Sequence, residues 1–524
     1  MNYYVVYMKK SKILKFLIVG IIILAIFLLS HGVQFNLFRV INGLPSMLDL
    51  LSRMSSPNWD YTVQVFDKLI ETVEIAIVST IMGLLLAIPF SLLSASNISP
   101  FKIMPYILNP LLSLMRTIPN LVWAALLVSI FSVGKLPGII ALLITAFLIS
   151  TKLLKEQIEA ISDNFLSSVV ATGASSFQVL KYCVLPTIKT SAFSVFFAVF
   201  EINIRSATVL GLVGAGGIGQ ILWRDLNHLR YDNIATLILM LFLTIALIDM
   251  ASIFFRKVWD EFYITVKDDR LYKLYQRVKP IFTSVFVGLL IFITMRNIDL
   301  NRVILGLGQS NQMILRMFNA DFTYFSNMIV GIRESLFIAL FATLVGGILA
   351  IPLSYLAAYG VSFSNVMAFI IKLIVNILRT FPPIIMAIIF FRGVGPGPLS
   401  GALALSIYTT GVLVKLYGEV LENTPKNIKL SLLSVGGGSF EIFQYGLFPH
   451  TFSAYVSLVL YRLESNIRTS TILGIIGAGG VGTMLTNNIN WRNWERVGLL
   501  ILGMAVMIII VDGFSWFVRR KIIR

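Results

Sequence analysis

A single cysteine, Cys183, and three scattered histidines, His31, His228 and His450, are all the thiol and imidazole chemistry that 524 residues contain. One thiol forms no internal disulfide, and three isolated imidazoles make neither a Cys cluster nor a catalytic zinc set. Charge is scarce as well: Asp, Glu, Lys and Arg make up 13% of the chain, against about 25% in soluble proteins. Hydrophobic residues reach 57% and mean hydropathy is +0.87, more apolar surface than an aqueous core hides. Acid is the scarcer sign, leaving a net charge of +17. In so apolar a chain an excess of Lys and Arg reads first as a topology signal of a membrane protein. A soluble enzyme, a disordered chain and a nucleic-acid-binding module are all poor fits. The expected partner is the lipid bilayer and not nucleic acid.

Apolar stretches near the roughly 20 residues that cross a bilayer recur throughout. They lie at 13–30, 72–95, 103–131, 138–151, 190–212, 234–255, 280–296, 335–358, 366–391, 399–414, 452–475 and 497–518. These predict an all-α integral membrane protein of about twelve transmembrane helices, with 138–151 and 399–414 short for full spans. The alternate segments that hold Lys9, Lys10, Lys152, Lys155, Arg519 and Arg520 carry the larger share of Lys and Arg. Both termini are therefore expected in the cytoplasm. Leu29-Ser30-His31-Gly32, after the first stretch, offers no small-x-small cleavage pattern, so that stretch reads as a retained anchor.

The chain is one unit written twice. Glu71, Pro89, Arg116, Lys152, Gly173, Pro186, Glu201, Arg205, Gly211 and Asp249 recur 263 residues later as Glu334, Pro352, Arg379, Lys415, Gly436, Pro449, Glu464, Arg468, Gly474 and Asp512. The strongest block runs from Glu201 to Gly219 and returns from Glu464 to Gly482. Its glycine-rich outer end sets Gly214, Gly216, Gly217 and Gly219 against Gly477, Gly479, Gly480 and Gly482. Six spans per copy is an even number, so the copies form a parallel repeat, with a pathway expected where the halves meet. The expected division is a first repeat over 1–255, a mixed-charge cytoplasmic linker over 256–279 and a second repeat over 280–524.

In each half the fourth and fifth spans are separated by a long inner segment, 151–190 and 415–452, and such loops usually carry a function. Each opens on a short amphipathic helix, with Glu156 and Glu159 in the first and Glu419 and Glu422 in the second. Gly173 then precedes Pro186, and Gly436 precedes Pro449. This frame resembles the coupling-loop signature of ABC importer permeases, in which Gly and Leu-Pro bracket the helix that docks on the ATPase. The chain departs from it at the usual opening acid, here Ser167 and Leu430, and at Phe448 before the second Pro. The Asn-Ile-Arg-x-x-Thr-x-Leu-Gly block and its Gly-Ala-Gly-Gly end are similar to the phosphonate-type permeases of that class. That resemblance covers both halves, with 31–70 and 297–333 the weaker parts.

The resemblance implies a type I ABC importer permease fold in a bacterial inner membrane and import of phosphonate or a related phosphorus oxyanion. It implies an extracytoplasmic solute-binding protein and two cytoplasmic ATPase subunits, which would bring ATP and magnesium. The chain has no Gly-x-x-x-x-Gly-Lys-Ser/Thr loop, so it is expected to be a transporter subunit with no cofactor or catalytic site of its own. Methionine-type permeases carry a similar Gly-Ala-Gly-Gly stretch and stay open as an alternative. A major-facilitator-like carrier is the rival from another class, and Ser94–Lys102 lacks that family's Gly-x-x-x-Asp-Arg motif.

Ionisable side chains inside spans cost about 2.5–3.5 kcal/mol on insertion scales and mark function by default. Three are duplicated, Arg116 with Arg379, Glu201 with Glu464 and Arg205 with Arg468; with Asn203 and Asn466 these are the expected pathway residues. The spacing of four puts Glu201 with Arg205, and Glu464 with Arg468, on one helix face, which permits an ion pair in each half. The arginines outnumber the acids, which suits an oxyanion. Lys372 and Arg462 have no charged counterpart, their equivalents being Asn109 and Val199. Pro119 and Pro382, three residues past Arg116 and Arg379, are expected to kink those spans.

Overall fold

The computed structural model describes residues 24–99, 101–265 and 300–522, with Gly20 and Gly288 as isolated positions. All regular structure among the described residues is helical. Among the described residues seven helices are long and apolar enough to cross a membrane, or ten if three sharply bent pairs each count as one span. The expected spans at 13–30 and 280–296 lie outside the described residues except at 24–30 and Gly288. The helix Phe448–Gly474, expected as a span over 452–475, is not among the seven. It carries Arg462, Glu464 and Arg468 in its second half, whereas its first-repeat equivalent, within Leu185–Leu210, has Val199 where Arg462 stands.

Two of the bent pairs are the duplicated segments 103–131 and 366–391. The helix Met104–Thr117 meets Asn120–Phe131 at 81°, and Asn365–Arg379 meets Pro383–Val394 at 85°. Proline is the cause. The residue before a proline is pushed out of the helical region, and Ile118 and Phe381 are both extended, with ψ of 118° and 122°. The expected kink is thus a complete break. It leaves Arg116 and Arg379 in the last turn of the preceding helix, where unpaired carbonyls favour a cation.

The helices pack into two units, one of 51–318 and one that joins 319–524 to the chain up to Leu50. The amphipathic helix that opens each repeat is therefore exchanged. In one unit Leu37–Arg53 lies on Pro383–Val394, with Met47 against Val394 and Leu399, and Gly43 in backbone contact with Gly393. In the other Leu300–Phe318 lies on Asn120–Phe131, where Gly306 approaches the Ile130 carbonyl. The packing units accordingly cut across the sequence-order division at 255 and 280. Of the expected linker, 256–265 continues the helix Tyr231–Thr265 and 266–279 lies outside the described residues.

Equivalent positions tie the start of the long second-span helix to the start of the last one in both units, with different chemistry. In 51–318, Asn58 donates to Asn233 at 2.9 Å, and its backbone N–H donates to the Asp232 carbonyl. In the other unit the same places hold an ion pair, Arg496 to Asp321 at 3.0 Å, beside a backbone bond from Asp321 to the Glu495 carbonyl. The Thr323 hydroxyl first, and then Arg496, hold the Asp321 carboxyl below its ordinary value. Its contribution is therefore complete above the ordinary carboxylate range and lost as pH falls through the lowered pKa. Asp321→Asn should lower the melting midpoint of the purified chain at neutral pH, and the deficit should vanish in acid. Adding Arg496→Asn, which recreates the Asn58–Asn233 pair, should recover part of it; a double variant no better than the single one contradicts this reading.

Candidate functional site

The two inner segments are built alike. The expected amphipathic helices at 152–159 and 415–422 are the last turns of long helices, Lys135–Glu159 and Pro398–Glu422, because no breaker interrupts them. Their glutamates divide into two roles. Glu156 and Glu419 form exposed pairs with Lys152 and Lys415, both at 3.7 Å. Glu159 and Glu422 turn inward to the preceding loop, accepting the backbone N–H of Ser96 at 2.9 Å and of Tyr359 at 2.6 Å. Each also pairs with a lysine, and the lysine changes place between repeats. Lys155 serves Glu159 from one turn away at 3.7 Å, while Lys372 serves Glu422 from another helix at 2.7 Å. Lys372, without a charged equivalent in the sequence, thus does the work of Lys155, whose own equivalent is Gly418.

A short free-standing helix follows in each case, Asp163–Ala171 and Lys426–Leu433, closed by Gly173 (φ 84°) and Gly436 (φ 82°). Those glycine N–H groups bond the Val170 and Leu433 carbonyls, the left-handed stop that ends many helices. The chain then re-enters helix at Ser176 and at Ser439 and passes through one π-helical turn, Leu180–Val184 or Ile442–Leu447, into the next long helix at Pro186 or Pro449. Gly and Pro therefore bracket the start of a long helix, and the separate helix lies before the glycine. Around the turn Phe165, Val170, Phe177 and Tyr182 are exposed in one copy, and Leu430, Val435, Phe440 and Tyr445 in the other.

The glycine-rich segment is a structural turn. Gly214, Gly216 and Gly217, like Gly477, Gly479 and Gly480, have φ between 72° and 88°. The turn aims its next two amides at the start of the second-span helix. Glu71 accepts the Gly217 N–H at 3.1 Å and Thr72 the Ile218 N–H at 2.8 Å; Glu334 and Ser335 accept those of Gly480 and Val481 at 2.9 and 3.0 Å. Each carboxylate caps the N-terminus of a helix, Ile218–Asn227 or Gly480–Asn490, where the helix dipole favours negative charge. Glycine is compulsory one step on, because a Cβ on Gly219 or Gly482 would collide with the carbonyl of Thr208 or Thr471. The repeat displays Glu71 and Glu334, but nothing in the sequence connects them to a turn 146 residues away.

The duplicated charges diverge. Arg205 pairs with Glu201 at 2.6 Å as expected. Glu464 and Arg468 do not pair with each other: Glu464 takes Arg519, and Arg468 takes Asp512 at 3.3 Å. The helix Trp494–Ile522 offers an opposite charge to each. The equivalent side chains of Asp249 and Arg256 lie outside the described residues. Asn203 and Asn466 are fully buried and bonded to Thr80 and Thr343, both at 2.8 Å, so these amides pin helices together where a place in the pathway was expected. Arg116 lines a polar cavity of about 260 Å³ with Ser94, Asn109, Thr151, Lys152 and Lys155.

The model of binding-protein-dependent transport system inner membrane components matches residues 87–261 and 350–524, two stretches with the repeat offset of the sequence. The chain belongs to that family. It is a membrane transport subunit and not an enzyme. The phosphate-import permease PhnE of Mycolicibacterium smegmatis is 28% identical over 94% of this chain and 92% of its own length. The phosphite transport permease PtxC of Stutzerimonas stutzeri is 28% identical over 38% of this chain and 73% of its own. The putative cryptic phosphonate permease PhnE2 of Escherichia coli K12 is 37% identical over 23% of this chain and 99% of its own.

Glu334→Ala should cost about 1–3 kcal/mol, the penalty of an unsatisfied buried donor, while Glu334→Gln keeps an acceptor and most of the stability. Gly482→Ala should cost a similar amount by overpacking. Melting of the purified chain in detergent measures all three, and an unshifted midpoint for Glu334→Ala and Gly482→Ala contradicts the tether.

Proposed function

We propose that this chain is the permease of an ATP-driven importer of phosphonate or a related phosphorus oxyanion, both permease copies being fused in one polypeptide. The observation that carries the reading is the match to a phosphate-import permease along 94% of the chain, through both repeats. Relatives named for phosphite and phosphonate transport support the same substrate class. Arg116, Arg379, Arg205 and Arg468 supply the positive groups of the pathway, with Glu201 and Glu464 setting their net charge. A tetrahedral oxyanion with several acceptor oxygens suits such guanidinium donors. A separate binding protein delivers the solute on the outer side.

ATP and magnesium reside on two separate ATPase subunits, and the inner loops receive them. The exposed apolar residues around Gly173 and Gly436 support that assignment, since they stand beside short helices too brief to cross a bilayer. Both chain termini lie on the same, cytoplasmic, face of a bacterial inner membrane.

Replacing Gly173 and Gly436 with Val tests the coupling role. A Cβ meets nothing within 4 Å at either glycine, so the penalty is purely conformational. A left-handed conformation costs an L-residue about 1–2 kcal/mol, a factor of roughly 5–30 in the population of the docking-competent turn. The double variant should insert normally yet retain fewer ATPase subunits on affinity purification. Undiminished retention together with full substrate-stimulated hydrolysis contradicts the assignment.

A further inference from the structure

Arg462 is a buried cation that pairs with no carboxylate among the described residues. It is 6% exposed on the helix Phe448–Gly474, and its guanidinium carbon stacks 4.9 Å from the ring centroid of Tyr408 on Pro398–Glu422. Nη1 donates to Ser465 at 3.3 Å, whereas Nε and Nη2 are buried with no acceptor among the described residues. Those two nitrogens form one edge of the planar group, the edge that holds two oxygens of an oxyanion side by side. The groups that act on it electrostatically include Tyr408, Tyr461 and a second cation, Arg379. Arg379 packs beside Gly411, one turn along the same helix from Tyr408: a Cβ on residue 411 would lie 3.5 Å from the arginine Cγ, in ordinary contact. Its neighbours Glu464 and Arg468 both have opposite charges against them.

The other repeat shows that the architecture needs none of this. The equivalents of Arg462, Tyr408 and Gly411 are Val199, Thr145 and Leu148. Val199 and Leu148 are buried apolar side chains, and the Thr145 hydroxyl is spent on its own helix, donating to the Ala141 carbonyl at 2.7 Å. Three positions have changed together, from Val199, Thr145 and Leu148 in the first repeat to an arginine, a phenol and a glycine in the second. An ion pair that moves between repeats, as Lys155 and Lys372 do, conserves charge; this change adds an uncompensated cation.

We propose that Arg462, Arg379 and the Tyr408 hydroxyl form an oxyanion-binding site within the second repeat, with the Nε–Nη2 edge of Arg462 receiving two oxygens of the transported ion. The proposal rests on the oxyanion-importer reading above and makes transport asymmetric: the second repeat holds the ion and the first, at Val199, does not. Uptake of labelled inorganic phosphate, phosphite and methylphosphonate by the complete complex in proteoliposomes, normalised to assembled complex, tests it. Arg462→Val, which installs the residue of the first repeat, should lower uptake about tenfold or more, the value of lost charge-assisted hydrogen bonds. Arg462→Lys, which keeps the charge, should recover a substantial part, and Tyr408→Phe should fall between wild type and Arg462→Val. Uptake by Arg462→Val within twofold of wild type overturns the site and leaves the importer reading standing. A wild-type complex that carries none of the three ions overturns the importer reading itself, and the site falls with it.

Discussion

A carboxylate on the amides of a glycine turn is the constraint around which each repeat is arranged. Glu71 and Glu334 sit near the start of the second-span helices and hold Gly217 and Gly480, with Thr72 and Ser335 taking the next N–H. The turn runs through several left-handed residues, so only glycine follows the path, and Gly219 and Gly482 then let the short helix lie against the carbonyl of its predecessor. Without the acid, donors at a helix N-terminus would be left inside an apolar protein, the costliest place for them. The long charged helix before the turn and the last helix after it are both positioned by this anchor. It reaches across 146 residues in both copies, as the Asn203–Thr80 and Asn466–Thr343 bonds reach across 123.

What varies around that anchor varies in pairs. Asn58 with Asn233 becomes Asp321 with Arg496, and the lysine on Glu159 leaves its own helix to approach Glu422 from a neighbour. The first exchange keeps a tie between the same two segments while changing its chemistry, and the second keeps the chemistry while changing the segment that supplies it. Arg462 departs from that pattern, since its equivalent is apolar and no acid among the described residues pairs with it. Function is the stronger explanation for a residue that breaks the pairing rule its own chain otherwise keeps.

Much of this was legible beforehand, for identifiable reasons. The repeat, the glycines and the prolines are local or periodic signals: Gly173 and Gly436 do end helices, and Pro119 and Pro382 do interrupt them. The all-α membrane class followed from composition. Partners set by tertiary packing were not legible. The i,i+4 spacing predicted Arg205 on Glu201 but failed for Glu464, because Arg519 and Asp512 come from a helix that spacing does not see. The exchange of Leu37–Arg53 and Leu300–Phe318 was hidden for the same reason, as was the packing role of Asn203 and Asn466. Helix ends were misplaced at Glu159 and Glu422 because an apolar window stops at the first charges, while a helix stops only at a breaker.

Everything above turns on whether this duplicated chain moves a phosphorus oxyanion with energy supplied by other subunits. The direct measurement compares energy sources in proteoliposomes holding the chain with its ATPase subunits and binding protein. Accumulation of labelled phosphite or methylphosphonate should require ATP, the ATPase subunits and the binding protein together, and a proton or sodium gradient should not replace them. Uphill uptake by the chain alone, driven by such a gradient, would contradict the account and place the chain among secondary transporters.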